Sequence, residues 1–136
     1  MADHPRVLVV EDDADAQQVT LHILEYLNMV VDIANDAESA EHLLFTPSSL
    51  AYDMVIIDLA LPGKDGWQLL NEIQAFRATA HMKCVAMTAF HRNLMRERAL
   101  QAGFIEYFPK PINSPVFAKL ISQLMHNNGT LSGSIN

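Results

Sequence analysis

The chain has 136 residues, half of them hydrophobic, a formal charge of −7 and a single cysteine. That length suits one domain with one core, and one cysteine excludes an internal disulfide. No run approaches the roughly 18 apolar residues of a membrane span, and nine scattered Lys and Arg argue against nucleic-acid binding by this chain alone.

Met1 to Arg6 has no basic segment followed by an apolar one, so it does not read as a secretion signal, and a cytoplasmic location is expected. Val7-Leu8-Val9-Val10 is a short apolar run that reads as a buried strand, and the acidic run Glu11-Asp12-Asp13 follows it. Residues 14–27 place Val19, His22, Ile23, Tyr26 and Leu27 at helical spacing, with Asn28 as the stop. Val30 to Ala34 is the second strand. Asn35-Asp36-Ala37-Glu38 reads as a capping box, with Asn35 as the cap and Glu38 three residues on. The helix it opens turns Ala40, Leu43 and Leu44 inward and breaks at Thr46-Pro47-Ser48-Ser49.

Tyr52 to Ile57 supplies the third strand, with Asp58 at its tip and a loop containing Pro62, Gly63 and Gly66 beyond it. The next helix spans Trp67 to Arg77 with Leu69, Leu70, Ile73 and Phe76 apolar. Lys83 to Met87 is the fourth strand, carrying Cys84 as a small buried hydrophobe. A helix near Asn93 to Ala102 ends at Gly103, a natural left-handed residue. Its Arg92, Arg96 and Arg98 suit a solvated face. Phe104 to Phe108 is the fifth strand. Ser114 and Pro115 suit the N-cap and first position of a last helix, with Val116, Phe117, Leu120, Ile121 and Leu124 inward. The folded unit is expected over 1–126, and the Gly/Ser-rich residues 127–136 as a flexible end or the start of a linker.

Five βα units with near-continuous apolar strands imply an α/β fold: a parallel sheet covered by helices on both faces. In sheet order 2-1-3-4-5 the first and third strands are neighbours, and ligands bind at the carboxyl ends of such strands. Glu11, Asp12 and Asp58 would then share one pocket. Like charges that close repel unless they are protonated or bridged by a cation, and Mg²⁺ suits hard oxygen ligands. Thr88 and Lys110, at two further strand tips, add a hydroxyl and an ammonium that can hold phosphoryl oxygens. A carboxylate placed there can form an aspartyl phosphate.

Val-Leu-Val-Val-Glu-Asp-Asp at 7–13, Asp-Leu-Ala-Leu-Pro-Gly-Lys-Asp-Gly at 58–66, Thr-Ala at 88–89 and Lys-Pro at 110–111 together resemble the receiver domain of two-component response regulators. The resemblance runs over residues 6 to 126. It implies a flavodoxin-like doubly wound (βα)5 fold of the chemotaxis-regulator type, with Asp58 as phosphoacceptor. The donor would be a phosphohistidine on a sensor histidine kinase or a histidine phosphotransfer protein. By the same resemblance Asp12 and Asp58 hold Mg²⁺ (or Mn²⁺), Glu11 acts through water, and the Ala60 backbone carbonyl completes the ligands. Thr88 and Lys110 would contact the phosphoryl group, and Lys110-Pro111 would be a cis peptide. Thr88 would move toward the phosphoryl group as Tyr107, the family's switch aromatic, turns inward. The surface of helix 4, strand 5 and helix 5 would carry the signal to a downstream protein.

The resemblance also implies that the residues two beyond the phosphoacceptor and two beyond the switch threonine flank the water that hydrolyses the aspartyl phosphate. Here they are Ala60 and Phe90, whose side chains cannot hydrogen-bond it, and Phe90 is expected to shield the site. Slow self-dephosphorylation is therefore expected. None of the six histidines has a partner at metal-ligand or phosphorelay spacing, and His91 is expected at the surface or behind the site. The last helix carries Lys119 as its only Lys or Arg over 115–126, which favours a monomer or a dimer surface elsewhere. A phosphatase or mutase forming an aspartyl phosphate is the alternative, but that chemistry wants a second aspartate at position 60. A flavodoxin-like cofactor binder would want a Gly/Ser/Thr-rich loop where Glu11-Asp12-Asp13 stands. The chain is expected to catalyse only its own phosphorylation and dephosphorylation, with no direct partner in nucleic acid or membrane.

Overall fold

The computed structural model describes residues 4–46 and 51–126. Its elements alternate strictly: β1 (Arg6–Val10), α1 (Ala14–Tyr26), β2 (Val30–Ala34), α2 (Ala37–Phe45), β3 (Met54–Asp58), α3 (Gly66–Ala75), β4 (Lys83–Thr88), α4 (Met95–Ala102), β5 (Glu106–Pro109) and α5 (Ser114–His126). The five strands are parallel in the order β2-β1-β3-β4-β5. This is the expected flavodoxin-like arrangement. The tail reading over 127–136, and the Pro47 to Ser49 part of the helix stop, lie outside the described residues. Among the described residues no helix is long and apolar enough to cross a membrane.

Alternation along the strands divides the core in two. Val55 and Ile57 of β3, with Leu8 and Val10 of β1, pack against Leu44, Leu69, Leu70 and Ile73 from α2 and α3. Met54, Ile56, Val7 and Val9 face the other way, onto Leu24 of α1 and Phe117 and Ile121 of α5. Every residue of β3 is buried, as a central parallel strand covered on both faces requires. Cys84 faces the first of these cores, and burial pushes its thiol up to about 12.

Several helix details differ from the sequence expectation. In α1 the expected Ile23 and Leu27 pack against the second core beside the buried Thr20 and Leu24, while Val19 is 46% and Tyr26 83% exposed. Val19 and Tyr26 thus lie on the exposed side of the helix. Asp36, not Asn35, caps α2: its carboxylate accepts the Ser39 amide at 2.8 Å. That bond holds the Asp36 carboxyl below its ordinary range. Asn35 instead accepts from the Gln17 side chain at 2.6 Å. Asn113 takes the capping place given to Ser114, accepting the Val116 amide at 3.1 Å, and Val116 points outward at 49% exposure. Strands three and five begin two residues later than expected, at Met54 and Glu106. The helix expected over Trp67 to Arg77 starts one residue sooner and ends at Ala75, leaving Phe76 46% exposed.

The β3–α3 connection shapes the strand tips. Asp65 and Gln68 form a reciprocal capping box. It was absent from the sequence reading because the glutamine lies inside an otherwise apolar helix start. At Gly66 a Cβ would come within 2.6 Å of the Asp58 carbonyl oxygen and 2.8 Å of Leu59 Cα. Only glycine lets α3 begin directly beneath the end of β3.

Candidate functional site

Adjacent placement of β1 and β3 brings the acidic run beside Asp58. Glu11, Asp12 and Asp58 each offer a carboxylate oxygen, and these lie within 4.8 Å of one another. Glu11 and Asp58 are buried, at 0% and 4% exposure, while Asp12 is exposed. Lys110 reaches in from the end of β5. Its Nζ donates to Glu11 Oε1 at 2.6 Å and to Asp58 Oδ2 at 3.1 Å. The other Asp58 oxygen accepts the Ala60 amide at 2.9 Å, and the second Glu11 oxygen accepts the Asp13 amide at 3.1 Å. Asp13 itself caps α1 through the Ala16 amide.

Burial raises the Glu11 carboxyl above its ordinary range, and the Asp58 charge adds to this against the pull of Lys110 and the Asp13 amide. Burial alone would lower the Lys110 ammonium, but its bonds to Glu11 and Asp58 carry it above its usual value. With all groups ionised, three carboxylates against one ammonium leave two negative charges in a partly enclosed pocket. A hard divalent cation matches that charge and that all-oxygen donor set, so these residues fit Mg²⁺ or Mn²⁺.

Thr88 ends β4 and is buried. Its hydroxyl accepts the Phe90 amide at 3.0 Å, and its carbonyl accepts the Lys110 amide at 2.8 Å. The Lys110–Pro111 peptide is cis. A cleft of about 540 Å³ opens beside Lys110, between Asp13, Ala16 and Thr20 of the α1 region and Pro111 and Ile112. Phe90, two residues beyond Thr88, is 65% exposed.

Tyr107 lies on β5 at 4% exposure, and its hydroxyl shares a hydrogen bond of 2.7 Å with Nδ1 of His91. His91 is exposed, in keeping with the surface placement expected from sequence, and its Tyr107 partner is a tertiary contact. The two residues belong to separate segments, and no spacing rule joins them. Arg96 pairs with Glu106 at 2.8 Å, while Arg92 and Arg98 remain exposed on and before α4. A larger groove of about 850 Å³ runs between α2 and α3, where Lys64 bridges Glu41 and Glu72.

A family model described as the response regulator receiver domain matches residues 7–122. The regulatory protein VanRB of Enterococcus faecalis is 32% identical over 93% of this chain and 55% of its own length. An uncharacterized 14.6 kDa protein of Leptolyngbya boryana is 29% identical over 86% of this chain and 87% of its own. The chain spans about half the length of VanRB and of several other curated regulators that it matches. Among solved structures, the receiver domain of the sensor histidine kinase PA1611 from Pseudomonas aeruginosa superposes with a TM-score of 0.77 at 27% identity, covering 90% of this chain and 97% of that one. That structure has a magnesium ion coordinated in its active site cleft. With the five-stranded parallel fold and the acidic strand-tip pocket in place, this chain belongs to the response regulator receiver domain family of two-component signalling.

Proposed function

We propose that Asp58 accepts a phosphoryl group from a phosphohistidine on a sensor histidine kinase or histidine phosphotransfer protein, in a Mg²⁺-dependent reaction. The observation that carries this reading is the setting of Asp58: a buried carboxylate between two other carboxylates, with the Lys110 ammonium 3.1 Å away. In the transfer, an Asp58 oxygen bonds to phosphorus as the phosphorus–nitrogen bond breaks, and the departing imidazole takes up a proton. Lys110 neutralises one developing charge on the phosphoryl oxygens. Thr88, whose oxygen accepts the Phe90 amide, keeps its own hydroxyl proton free to donate to another. Glu11, Asp12, Asp58 and the Ala60 carbonyl would hold the metal, which supplies further charge neutralisation at the phosphoryl group. The cleft beside Lys110 leaves that end of the site open to a donor.

In this reading Thr88 and Tyr107 form the switch, and the surface of α4, β5 and α5 presents the result to a downstream protein in the cytoplasm. Ala60 and Phe90 supply no group to orient a hydrolytic water, so the phosphoryl group is retained. The chain acts on itself and not on a turnover substrate.

Incubation with acetyl phosphate tests the proposal. One hydroxylamine-labile phosphoryl group should appear in the presence of Mg²⁺, and none with EDTA or in Asp58→Asn. Turnover of varied phosphate esters would favour a phosphatase or mutase instead. No labelling under any metal condition would overturn the reading.

A further inference from the structure

We propose that His91 is a positioning residue for phosphoryl transfer: it latches Tyr107 in its buried position and so ties the loop that follows Thr88 to the strand that precedes Lys110. The effect on transfer rests on the function proposed above; the latch itself does not.

The contact has two parts. The Tyr107 hydroxyl and His91 Nδ1 lie 2.7 Å apart, and the two rings pack at a centroid distance of 5.6 Å with a tilt of 36°. A tyrosine ring that is 4% exposed must find a partner for its hydroxyl or leave a polar group unsatisfied. His91 supplies that partner from the side facing solvent, since His91 is itself exposed. Replacing the imidazole by an apolar ring would take away the hydroxyl's partner on its solvent side, which favours outward rotation of Tyr107 toward water.

The consequence for the site follows from where the two residues sit in the chain. His91 is three residues past Thr88, and Tyr107 three before Lys110. The Lys110 amide already bonds to the Thr88 carbonyl at 2.8 Å, and the Phe90 amide to the Thr88 hydroxyl at 3.0 Å. The strands themselves pair from Val85↔Glu106 to Thr88↔Pro109, and the latch adds a side-chain tie beyond the end of that ladder, further out along the β4–α4 loop. The ladder sets the backbone positions of the hydroxyl and the ammonium that meet the phosphoryl oxygens, and the latch steadies the loop that leaves Thr88. Loss of the latch frees the loop after Thr88 and the Tyr107 side chain while the strand pairing stays in place. Leu94 (φ 66°), the left-handed residue that opens α4, ends the segment that would rearrange.

The full chain labelled with 3-fluorotyrosine gives a direct readout by fluorine NMR, with the Tyr107 signal assigned by its loss in Tyr107→Phe. In His91→Phe, which keeps a ring but loses the bond, the Tyr107 signal should broaden or move toward the exposed position. His91→Asn, which restores an acceptor near the site of Nδ1, should return it. In urea unfolding, the His91→Phe and Tyr107→Phe effects should fail to multiply, the double variant deviating by about fivefold from the product of the singles, as one hydrogen bond gives. An unchanged Tyr107 signal with multiplicative effects would overturn the latch. Phosphorylation by acetyl phosphate should slow several-fold in His91→Phe and recover in His91→Asn. A released Tyr107 with an unchanged rate would overturn the link to transfer. Wild-type protein that takes up no phosphoryl group would refute the proposed function and leave the latch standing on the NMR result.

Discussion

At the scale of single residues, the strand tips combine groups that would be costly apart. Glu11 is tolerated at 0% exposure because Lys110 and the Asp13 amide occupy both its oxygens. Ala60 and Phe90 are notable for what their side chains omit. A receiver with no polar group at either place should hold its phosphoryl group for many minutes at pH 7, and a lifetime of seconds in the purified protein would sink that idea. Cys84 illustrates a different residue-scale effect. Its folded thiol is pushed up to about 12 from an ordinary value of 9.0 by burial. Between those values the folded state binds more protons than the unfolded state, so stability present below pH 9 is lost as pH rises toward 12. Compared with Cys84→Ala, the wild type should lose roughly 1 to 2 kcal/mol more between pH 7 and pH 10. Urea titrations at the two pH values check this.

At the scale of elements, the β3–α3 connection is where local chemistry controls the site. Gly66→Ala would press a methyl against the end of β3, 2.6 Å from the Asp58 carbonyl oxygen. Overpacking of this kind costs about 1–3 kcal/mol, and here it also displaces the segment around Ala60. The variant should lose stability in urea and bind Mg²⁺ more weakly in a tryptophan-fluorescence titration, Trp67 being next in sequence. Asp65→Ala removes the α3 cap and should cost about 1 kcal/mol with metal affinity nearly unchanged, since Asp65 bonds to Gln68 and not to the carboxylates. A comparable loss of metal affinity in both variants would mean that the cap, and not the glycine, sets the loop. The same scale explains the few helix positions that differ from expectation. Apolar side chains at Val19, Tyr26 and Val116 fall on helical spacing yet meet solvent, because which face is inward depends on the neighbouring element. The Asn35 and Ser114 caps failed for a related reason: Asp36 and Asn113, one residue away, are equally good acceptors.

At the scale of the whole molecule, charge and fold are linked. A chain of formal charge −7 concentrates three carboxylates at one point, and a divalent cation that binds only the folded arrangement must stabilise it. At a concentration one hundred times the dissociation constant the gain is about 2.7 kcal/mol. That should raise the melting temperature by roughly 10 °C for a domain of this size. Calorimetry with Mg²⁺ against EDTA measures it, and Asp12→Asn should abolish most of the increment. An equal increment in that variant would place the ion elsewhere.

The order of elements, the parallel sheet and the identity of the strand-tip residues were all legible in the chain. Continuous apolar runs of four or five residues ending in Glu11, Asp58 or Thr88 leave few alternatives to buried parallel strands with polar tips. Burial and hydrophobic period are local properties, and they are written locally. Tertiary structure alone decided that Val19, Tyr26 and Val116 turn to solvent, that Lys110 Nζ stands between Glu11 and Asp58 rather than beside one of them, and that His91 meets Tyr107. Each of those depends on residues from different elements arriving at the same point. Such meetings are set by the packing of the whole sheet, a quantity no window of sequence contains.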